Sequence, residues 1–226
     1  MEEDEKPTGR PSICDNTSMS GQRQFVPQEN FEMANLKVCV YCASSQQCDP
    51  AYLDAAERLG RHLARHQATL VYGGGGGGAM ARLAEGALGA GGTAVGIIPR
   101  FMVELEWGHK QLSEMRIVED MRERKHRMLE GANAVVALPG GCGTLEELFE
   151  TITLKRLGQY LGPIILVNTR GFYDRVVAAL EHCIAERFMD LRHRDMWTVV
   201  NEPEEVLEAI QTAPPWSAEN RNFAVP

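Results

Sequence analysis

The sequence lacks both the long apolar run of a membrane protein and the basic excess of a nucleic-acid-binding protein. No stretch among its 226 residues reaches the ~18–20 uninterrupted apolar residues that a membrane-spanning helix needs. Residues 1–6 are mostly acidic, whereas a secretory signal peptide begins with a basic patch and an apolar run. Acidic residues outnumber basic ones by 31 to 23, and no basic stripe is present. We therefore expect a soluble, cytoplasmic protein that binds neither membranes nor nucleic acid.

A zinc site and a disulfide framework are also poorly supported. The chain has six cysteines, and Cys39 and Cys42 have the C-x-x-C spacing, but no second pair of ligands follows at a suitable distance. Cys39 lies within a strand pattern, where a small buried thiol is the common outcome. We expect reduced, structural cysteines and no bound metal.

The pattern of apolar residues predicts one folded domain between two tails. Residues 1–35 combine Pro, Gly, Ser and acidic residues with few periodic apolar positions, which is typical of a disordered or loosely attached acidic tail. The folded domain is predicted over 36–212, and 213–226 are assigned to a C-terminal tail.

Strand and helix patterns alternate along the predicted domain. Residues 36–41 alternate as a half-buried strand, and Asp49 with Pro50 marks the start of a helix that runs towards Leu63. Further strands are predicted over 70–72, 93–98, 115–118, 134–138, 163–167 and 197–200, and further helices over 79–88, 121–131, 145–157, 172–186 and 204–211. Such alternation predicts an α/β fold, a single Rossmann-like domain with a parallel sheet and helices on both faces.

Ligands of such sheets bind where strands turn into helices, so the turns carry the functional information. The first strand ends in residues 42–45, CASS, without the G-x-G-x-x-G of a dinucleotide site, which argues against an ordinary dehydrogenase. The second strand runs into six glycines, 73–78. Their backbone can approach a ligand and direct N–H groups at an anion, although a flexible turn has the same composition.

A third turn, residues 139–144 with the sequence PGGCGT, joins a buried strand to a helix. Unpaired N–H groups at a helix N-terminus favour a phosphate. No Lys-Ser/Thr pair follows the last glycine, so the Walker pattern fails and a nucleoside triphosphatase is a poor fit. A monophosphate held by the backbone and Thr144 fits better.

Two charged features lie near this turn. Glu147 completes a T-x-x-E capping box with Thr144, so its position suits either a helix cap or a catalytic carboxylate. The basic cluster 122–127 is either a solvated face or a source of Arg124 and Lys125 for the ligand edge of the sheet.

Other candidates give weaker signals. Glu106 and His109 are one turn apart if helical, which more often indicates a surface pair. Trp107, Trp197 and Trp216 are most simply interpreted as packing residues.

Taken together, four elements resemble the LOG ("lonely guy") family of cytokinin riboside 5′-monophosphate phosphoribohydrolases. Residues 139–147, PGGCGTLEE, resemble its P-G-G-x-G-T-x-x-E signature. Residues 42–45, the glycine run followed by Met80, and Arg124-Lys125 followed by Met128 agree in the same order, so the resemblance covers about 37–211.

The resemblance implies an N-glycosyl hydrolase that needs no cofactor or metal. Its substrate would be an N6-modified adenosine 5′-monophosphate, and its products the free base and ribose 5-phosphate. Arg124 and Glu147 would form the catalytic pair, and the family is typically homodimeric with sites near the subunit interface. Substrate contacts would come from Ser44, Gly73, Gly74, Gly75, Glu106, Lys125, Gly141, Cys142, Gly143, Thr144 and Thr153.

Some details stay open at this stage. Leu154, Arg156 and Tyr160 replace the Trp, Gln and His that are usual in the family, so plain AMP or another nucleotide remains a possible substrate. A non-catalytic nucleotide- or cofactor-binding carrier on the same fold is the alternative function. In the hydrolase, we expect Glu147 to stabilise an oxocarbenium ion or to activate water, and Arg124 to lower the pKa of Glu147 by its opposite charge.

Overall fold

The computed structural model describes residues 36–105 and 107–224, so the predicted tail 1–35 and Glu106 lie outside the described residues. Within them, one parallel sheet has the order β4-β3-β2-β1-β5-β6-β7. Its strands are Lys37–Tyr41 (β1), Thr69–Tyr72 (β2), Ala94–Pro99 (β3), Glu114–Val118 (β4), Ala134–Ala137 (β5), Ile164–Val167 (β6) and Thr198–Val200 (β7). The predicted α/β, Rossmann-like class is confirmed.

The helices connect these strands and begin within a few residues of their predicted positions. They are Pro50–Arg65 (α1), Gly78–Gly89 (α2), Arg100–Glu104 (α3), Met121–Leu129 (α4), Cys142–Arg156 (α5), Asp174–Ala185 (α6) and Val206–Thr212 (α7). Asp49 caps α1 as predicted, because its carboxylate accepts a hydrogen bond from the N–H of Ala51 at 2.9 Å. Only the short helix α3 has no counterpart in the sequence prediction.

The strand order creates a crevice beside β1. Val38 pairs with Leu70 of β2 on one side and with Ala134 of β5 on the other. The chain leaves β1 towards one edge of the sheet and leaves β5 towards the opposite edge. Ligands of open α/β sheets bind at such a switch point, beyond the carboxyl ends of the strands. Residues 42–45 and 138–141 follow β1 and β5 there.

One face of the sheet carries a large apolar core. Cys39, Val71 and Val135 lie in it together with Met128 of α4 and Leu148 of α5. Cys39 is fully buried in β1, as its strand position predicts. The core rigidly attaches α4 and α5, the two helices with the candidate catalytic residues, to neighbouring strands. Among the described residues, no helix is long and apolar enough to cross a membrane.

Candidate active site

The N-terminus of α5 opens towards the crevice. The helix begins at Cys142, three residues earlier than predicted, and its N-cap residue is Gly141, which has no side chain to cap it. Thr144 therefore lies inside the helix, and the predicted capping box with Glu147 is wrong. A Cβ atom on Gly140 would lie 2.2 Å from Oγ1 of Thr144, so this glycine allows the close turn. The first N–H groups of α5 have no acceptor within the helix.

Glu147 lies one turn further along α5, on its buried side. The residue is 6% exposed, and its Oε1 is 4.0 Å from Nη1 of Arg124. Burial raises the pKa of Glu147 to about 7, while the nearby Arg124 lowers it by a smaller amount. Arg124 thus lowers the pKa of Glu147 as expected, but the loss of hydration outweighs the attraction of the guanidinium, so the pKa rises. The carboxyl group is close to half ionised at neutral pH.

Arg124 is held rigidly rather than solvated. It is 5% exposed, its Nε donates to the carbonyl of Ile97 at 3.1 Å, and its Nη2 donates to the carbonyl of Gly73 at 2.8 Å. A Cβ atom on Gly73 would lie 1.9 Å from Nη2, so the first glycine of the run makes room for the guanidinium. These bonds leave Nη1 to face Glu147.

A cavity of about 1000 Å³ joins these groups at the carboxyl edge of the sheet. The turns after β1, β2 and β5 contribute to its wall, as predicted for a ligand site at this edge. Of the candidate residues, the structure brings together Ser44, Gly73, Gly75, Arg124, Gly141, Cys142, Gly143, Thr144 and Glu147 around this cavity. Gly74 lies in the same turn, outside the lining.

Two other candidates, Lys125 and Thr153, do not line the cavity. Lys125 forms ion pairs with Glu146 at 2.5 Å and Glu150 at 3.1 Å, and only Glu146 borders the cavity. Thr153 is exposed on α5, and its Oγ1 donates to the carbonyl of Phe149 at 2.8 Å. Glu106 lies outside the described residues.

The positions that left base preference open lie away from the cavity. Arg156 donates to the carbonyl of Ala224, and the buried Tyr160 donates through its hydroxyl to the carbonyl of Pro163 at 3.3 Å. Leu154 packs against the apolar core. These three residues therefore do not contact a ligand in the cavity of the same chain.

Trp107 and His109 are among the cavity-wall residues that the sequence did not identify as site candidates. Trp107 is 56% exposed and lines the cavity together with His109, so its interpretation as a packing residue is wrong. Trp197 and Trp216 are buried, as predicted. The position of Trp107 and His109 after β3 could have identified them, because the segment after this strand begins at the edge of the sheet where the other turns meet.

Comparisons with known proteins agree with this arrangement. A family model described as "possible lysine decarboxylase" matches residues 80–210. A cytokinin riboside 5′-monophosphate phosphoribohydrolase of Rhodococcoides fascians is 36% identical over 197 residues, which are 87% of this chain and 96% of the relative. A probable enzyme of that name from Oryza sativa subsp. japonica is 40% identical over 161 residues, 71% of each chain. The chain belongs to the LOG family.

Solved structures extend the LOG fold to more distant proteins. The molybdenum cofactor binding protein of Rippkaea orientalis has a TM-score of 0.60 and 21% identity, covering 81% of this chain and 98% of its own. The molybdenum cofactor carrier protein of Chlamydomonas reinhardtii has a TM-score of 0.56 and 20% identity, covering 80% of this chain and 97% of its own. At such identity the likeness concerns the fold alone.

Proposed function

We propose that this protein hydrolyses the N-glycosidic bond of an N6-modified adenosine 5′-monophosphate and releases the free base and ribose 5-phosphate. The observation that carries the proposal is the buried Glu147, 4.0 Å from a fixed Arg124 and one turn from the uncapped N-terminus of α5. The names of the curated relatives point to the same reaction.

The N-terminus of α5 supplies the phosphate site of the proposal. The 15-residue helix directs its partial positive charge and its free N–H groups at the cavity. Gly141 and Gly143 border the cavity without side chains that would obstruct an anion, and Thr144 adds a hydroxyl group. Binding energy gained at the phosphate holds the ribose near Glu147.

Glu147 and Arg124 supply the chemistry. The bond between C1′ and the base nitrogen breaks, its electron pair leaves with the base, and positive charge develops on the ribose. An ionised Glu147 stabilises that charge or takes a proton from the water that adds to C1′, and the departing base gains one proton, so that the products are the neutral base and ribose 5-phosphate. Both roles need the carboxylate form of Glu147. The hydrogen bonds from Arg124 to the carbonyls of Ile97 and Gly73 hold the guanidinium in place beside that carboxylate.

The test is release of ribose 5-phosphate from isopentenyladenosine monophosphate and from AMP, each with the wild-type protein and with Glu147→Gln. Glutamine has nearly the same volume but cannot ionise, so we expect turnover to fall by at least about 1000-fold, the range seen when a key catalytic group is lost. Glu208→Gln is the matched control, because this carboxylate is exposed on α7 and lies outside the cavity. The ratio of the two rates measures base preference.

Two results would contradict the hydrolase. Full turnover by Glu147→Gln would remove the proposed mechanism. Tight nucleotide binding by the wild-type protein without any release of ribose 5-phosphate would support the non-catalytic carrier instead.

We further propose that the protein acts as a homodimer. Phe149 and Thr153 on α5 and Leu157, the residue directly after the helix, are spaced by four residues, and the two apolar ones are 40% and 42% exposed. Such a stripe suits a second copy, which would bring Thr153 towards the partner's cavity. We expect Phe149→Asp to be a monomer by light scattering and to have reduced turnover. Phe188→Asp, at an exposed position elsewhere, should change neither the oligomeric state nor the turnover. A wild-type monomer with full turnover would contradict the proposal.

A further inference from the structure

The segment 107–111, here called the flap, forms part of the cavity wall. Its backbone is fixed to the glycine run: the N–H of Gly76 donates to the carbonyl of Trp107 at 2.8 Å, and the N–H of His109 donates to the carbonyl of Gly74 at 2.9 Å. Gly75 and Gly108 form an antiparallel bridge between the two segments. The flap is thereby held in one position relative to the turn that holds Arg124.

The glycine run is shaped for this contact. A Cβ atom on Gly76 would lie 3.0 Å from the carbonyl oxygen of Gly108 and 3.2 Å from Cα of His109. Contacts this short are unfavourable, so a side chain at Gly76 would push the flap away. The run is thus more than a flexible turn, because it supports a second wall of the cavity.

His109 presents a defined hydrogen-bond donor. Its Nδ1 accepts a hydrogen bond from the N–H of Gln111 at 3.2 Å. In the neutral ring, one nitrogen accepts and the other carries the proton, so Nε2 is the donor. Within the described part of the chain, Nε2 has no hydrogen-bond partner. The flap therefore offers one neutral N–H donor beside the exposed indole of Trp107.

A series of contacts defines which part of a nucleotide would meet the flap. Thr144 and Glu147 are one turn apart on α5, and Glu147 lies 4.0 Å from Arg124. Arg124 donates to Gly73, where the glycine run that carries the flap begins. The phosphate site and the flap are therefore at opposite ends of this series, with the catalytic pair between them.

The aromatic ring and the imidazole of the flap suit a base, and the flap also brings the cation Lys110 to the cavity wall. The same wall includes the apolar side chains of Met80, Ile98, Met102 and Met121. A purine is flat, uncharged and rich in ring nitrogens that accept hydrogen bonds. An aromatic surface, thioether groups in the same wall and the neutral donor of His109 match those properties.

We propose that the flap is the specificity-determining surface for the base: Trp107 stacks on the purine, and Nε2–H of His109 donates to one of its ring nitrogens. This inference rests on the proposed hydrolysis of a purine nucleotide. The surface that recognises the base would then be formed by the loop between β3 and β4. This loop is separate from the turns that carry the family signature.

Equilibrium binding of products tests the inference without requiring turnover. The probes are adenine, its 1-deaza, 3-deaza and 7-deaza analogues, and ribose 5-phosphate. Trp107 is 56% exposed, whereas Trp197 and Trp216 are 7% and 6% exposed, so stacking should quench the fluorescence of Trp107 selectively. We expect adenine to quench the tryptophan fluorescence of the wild-type protein and not that of Trp107→Phe. Calorimetry should show that Trp107→Phe still binds adenine.

The deaza series identifies the hydrogen bond. We expect one analogue to bind the wild-type protein about tenfold more weakly than adenine, as loss of one buried hydrogen bond predicts. The His109→Phe variant should have an affinity for adenine that is lower by a similar factor. It should bind the discriminating analogue as tightly as it binds adenine. Ribose 5-phosphate should bind unchanged. His182→Phe, the same substitution at an exposed position on α6, should behave as wild type.

Two outcomes overturn the inference. One is a His109→Phe protein that loses affinity for ribose 5-phosphate but not for adenine, because His109 would then face the sugar phosphate. The other is a wild-type protein that binds all deaza analogues as tightly as adenine. Either result would leave the hydrolase itself in place, which depends only on release of ribose 5-phosphate and on Glu147.

Discussion

At the scale of single residues, Glu147 is governed by two opposing effects, and burial is the stronger. Its pKa is raised to about 7 although Arg124 lies 4.0 Å away. Raised carboxyl pKa values are common at catalytic sites, because a general base works best when its pKa lies near the pH at which the enzyme operates. From the sequence alone, we expect only the opposite charge of Arg124 to act on Glu147 and to lower its pKa.

We predict that Glu147 is protonated at pH 5 and ionised at pH 9, with a midpoint near pH 7. Because activity needs the ionised form, kcat should fall about tenfold for each pH unit well below the midpoint. The substrate phosphate also titrates at about pH 6, so the direct measurement is the carbon-13 shift of the Glu147 carboxyl group in ligand-free protein. A midpoint near 4.5, the ordinary value for glutamate, would refute the effect of burial.

We also predict that Gly73→Ala inactivates the protein by displacing Arg124. The added methyl group would lie 1.9 Å from Nη2, so the guanidinium must leave the Gly73 carbonyl. A displacement of this kind near the reacting atoms is expected to lower kcat about 100-fold. Gly89→Ala is the matched control, because its Cβ would have open space around it. Equal activities of the two variants would contradict the prediction.

At the scale of elements, α5 runs from the cavity to the C-terminal segment 213–224. Its first turn opens into the cavity, and its last turn is covered by residues 213–224. There Nε1 of Trp216 donates to the carbonyl of Lys155 at 2.8 Å, and the indole ring packs at 5.9 Å from the ring of Phe223. The segment after α7 thus satisfies a carbonyl at the C-terminal end of the catalytic helix.

Trp216→Ala should therefore destabilise the fold strongly. Truncation of a buried tryptophan costs about 3–5 kcal/mol, and Trp216 is 6% exposed. Chemical denaturation should show this loss in the free energy of unfolding. Phe188→Ala, at a position 73% exposed, should change it by no more than about 0.5 kcal/mol. Similar losses for both variants would show that residues 213–224 do not cover α5 in solution.

At the scale of the whole molecule, a buried lysine makes stability depend on pH. Lys155 is 1% exposed, its Nζ donates to the carbonyl of Gly162 at 2.8 Å, and burial lowers its pKa to about 8. In the unfolded chain the amine keeps its ordinary pKa of about 10.4. Between these values the unfolded state binds more protons, so this group makes the fold more stable as pH rises from 8 to 10.

We predict that Lys155→Met stabilises the protein at pH 7 and loses most of that advantage by pH 10. The lowered pKa corresponds to a penalty on the order of 3 kcal/mol, partly offset in the variant by the unpaired Gly162 carbonyl. The measurement is the difference in unfolding free energy between variant and wild type at several pH values, which cancels the other titrating groups. A difference that does not vary with pH would contradict the lowered pKa.

The sequence by itself determined the order of strands and helices along the chain, the α/β class and the edge of the sheet at which the cavity lies. These follow from apolar periodicity and from the residues at turns, which are local properties of the chain. The PGGCGT turn could be named for the same reason, since a motif is local. The Arg124–Glu147 pair came from the resemblance to the LOG family, because spacing alone left the role of each residue open.

Only the tertiary structure decided the state of the site. Helix α5 begins early because Gly140 packs against Thr144, and Arg124 is fixed by carbonyl groups from β3 and from the turn after β2. The flap acquires its position from hydrogen bonds to the glycine run. Burial, pKa and the direction of a donor depend on what distant segments bring to one place, and no local pattern in the chain encodes that neighbourhood.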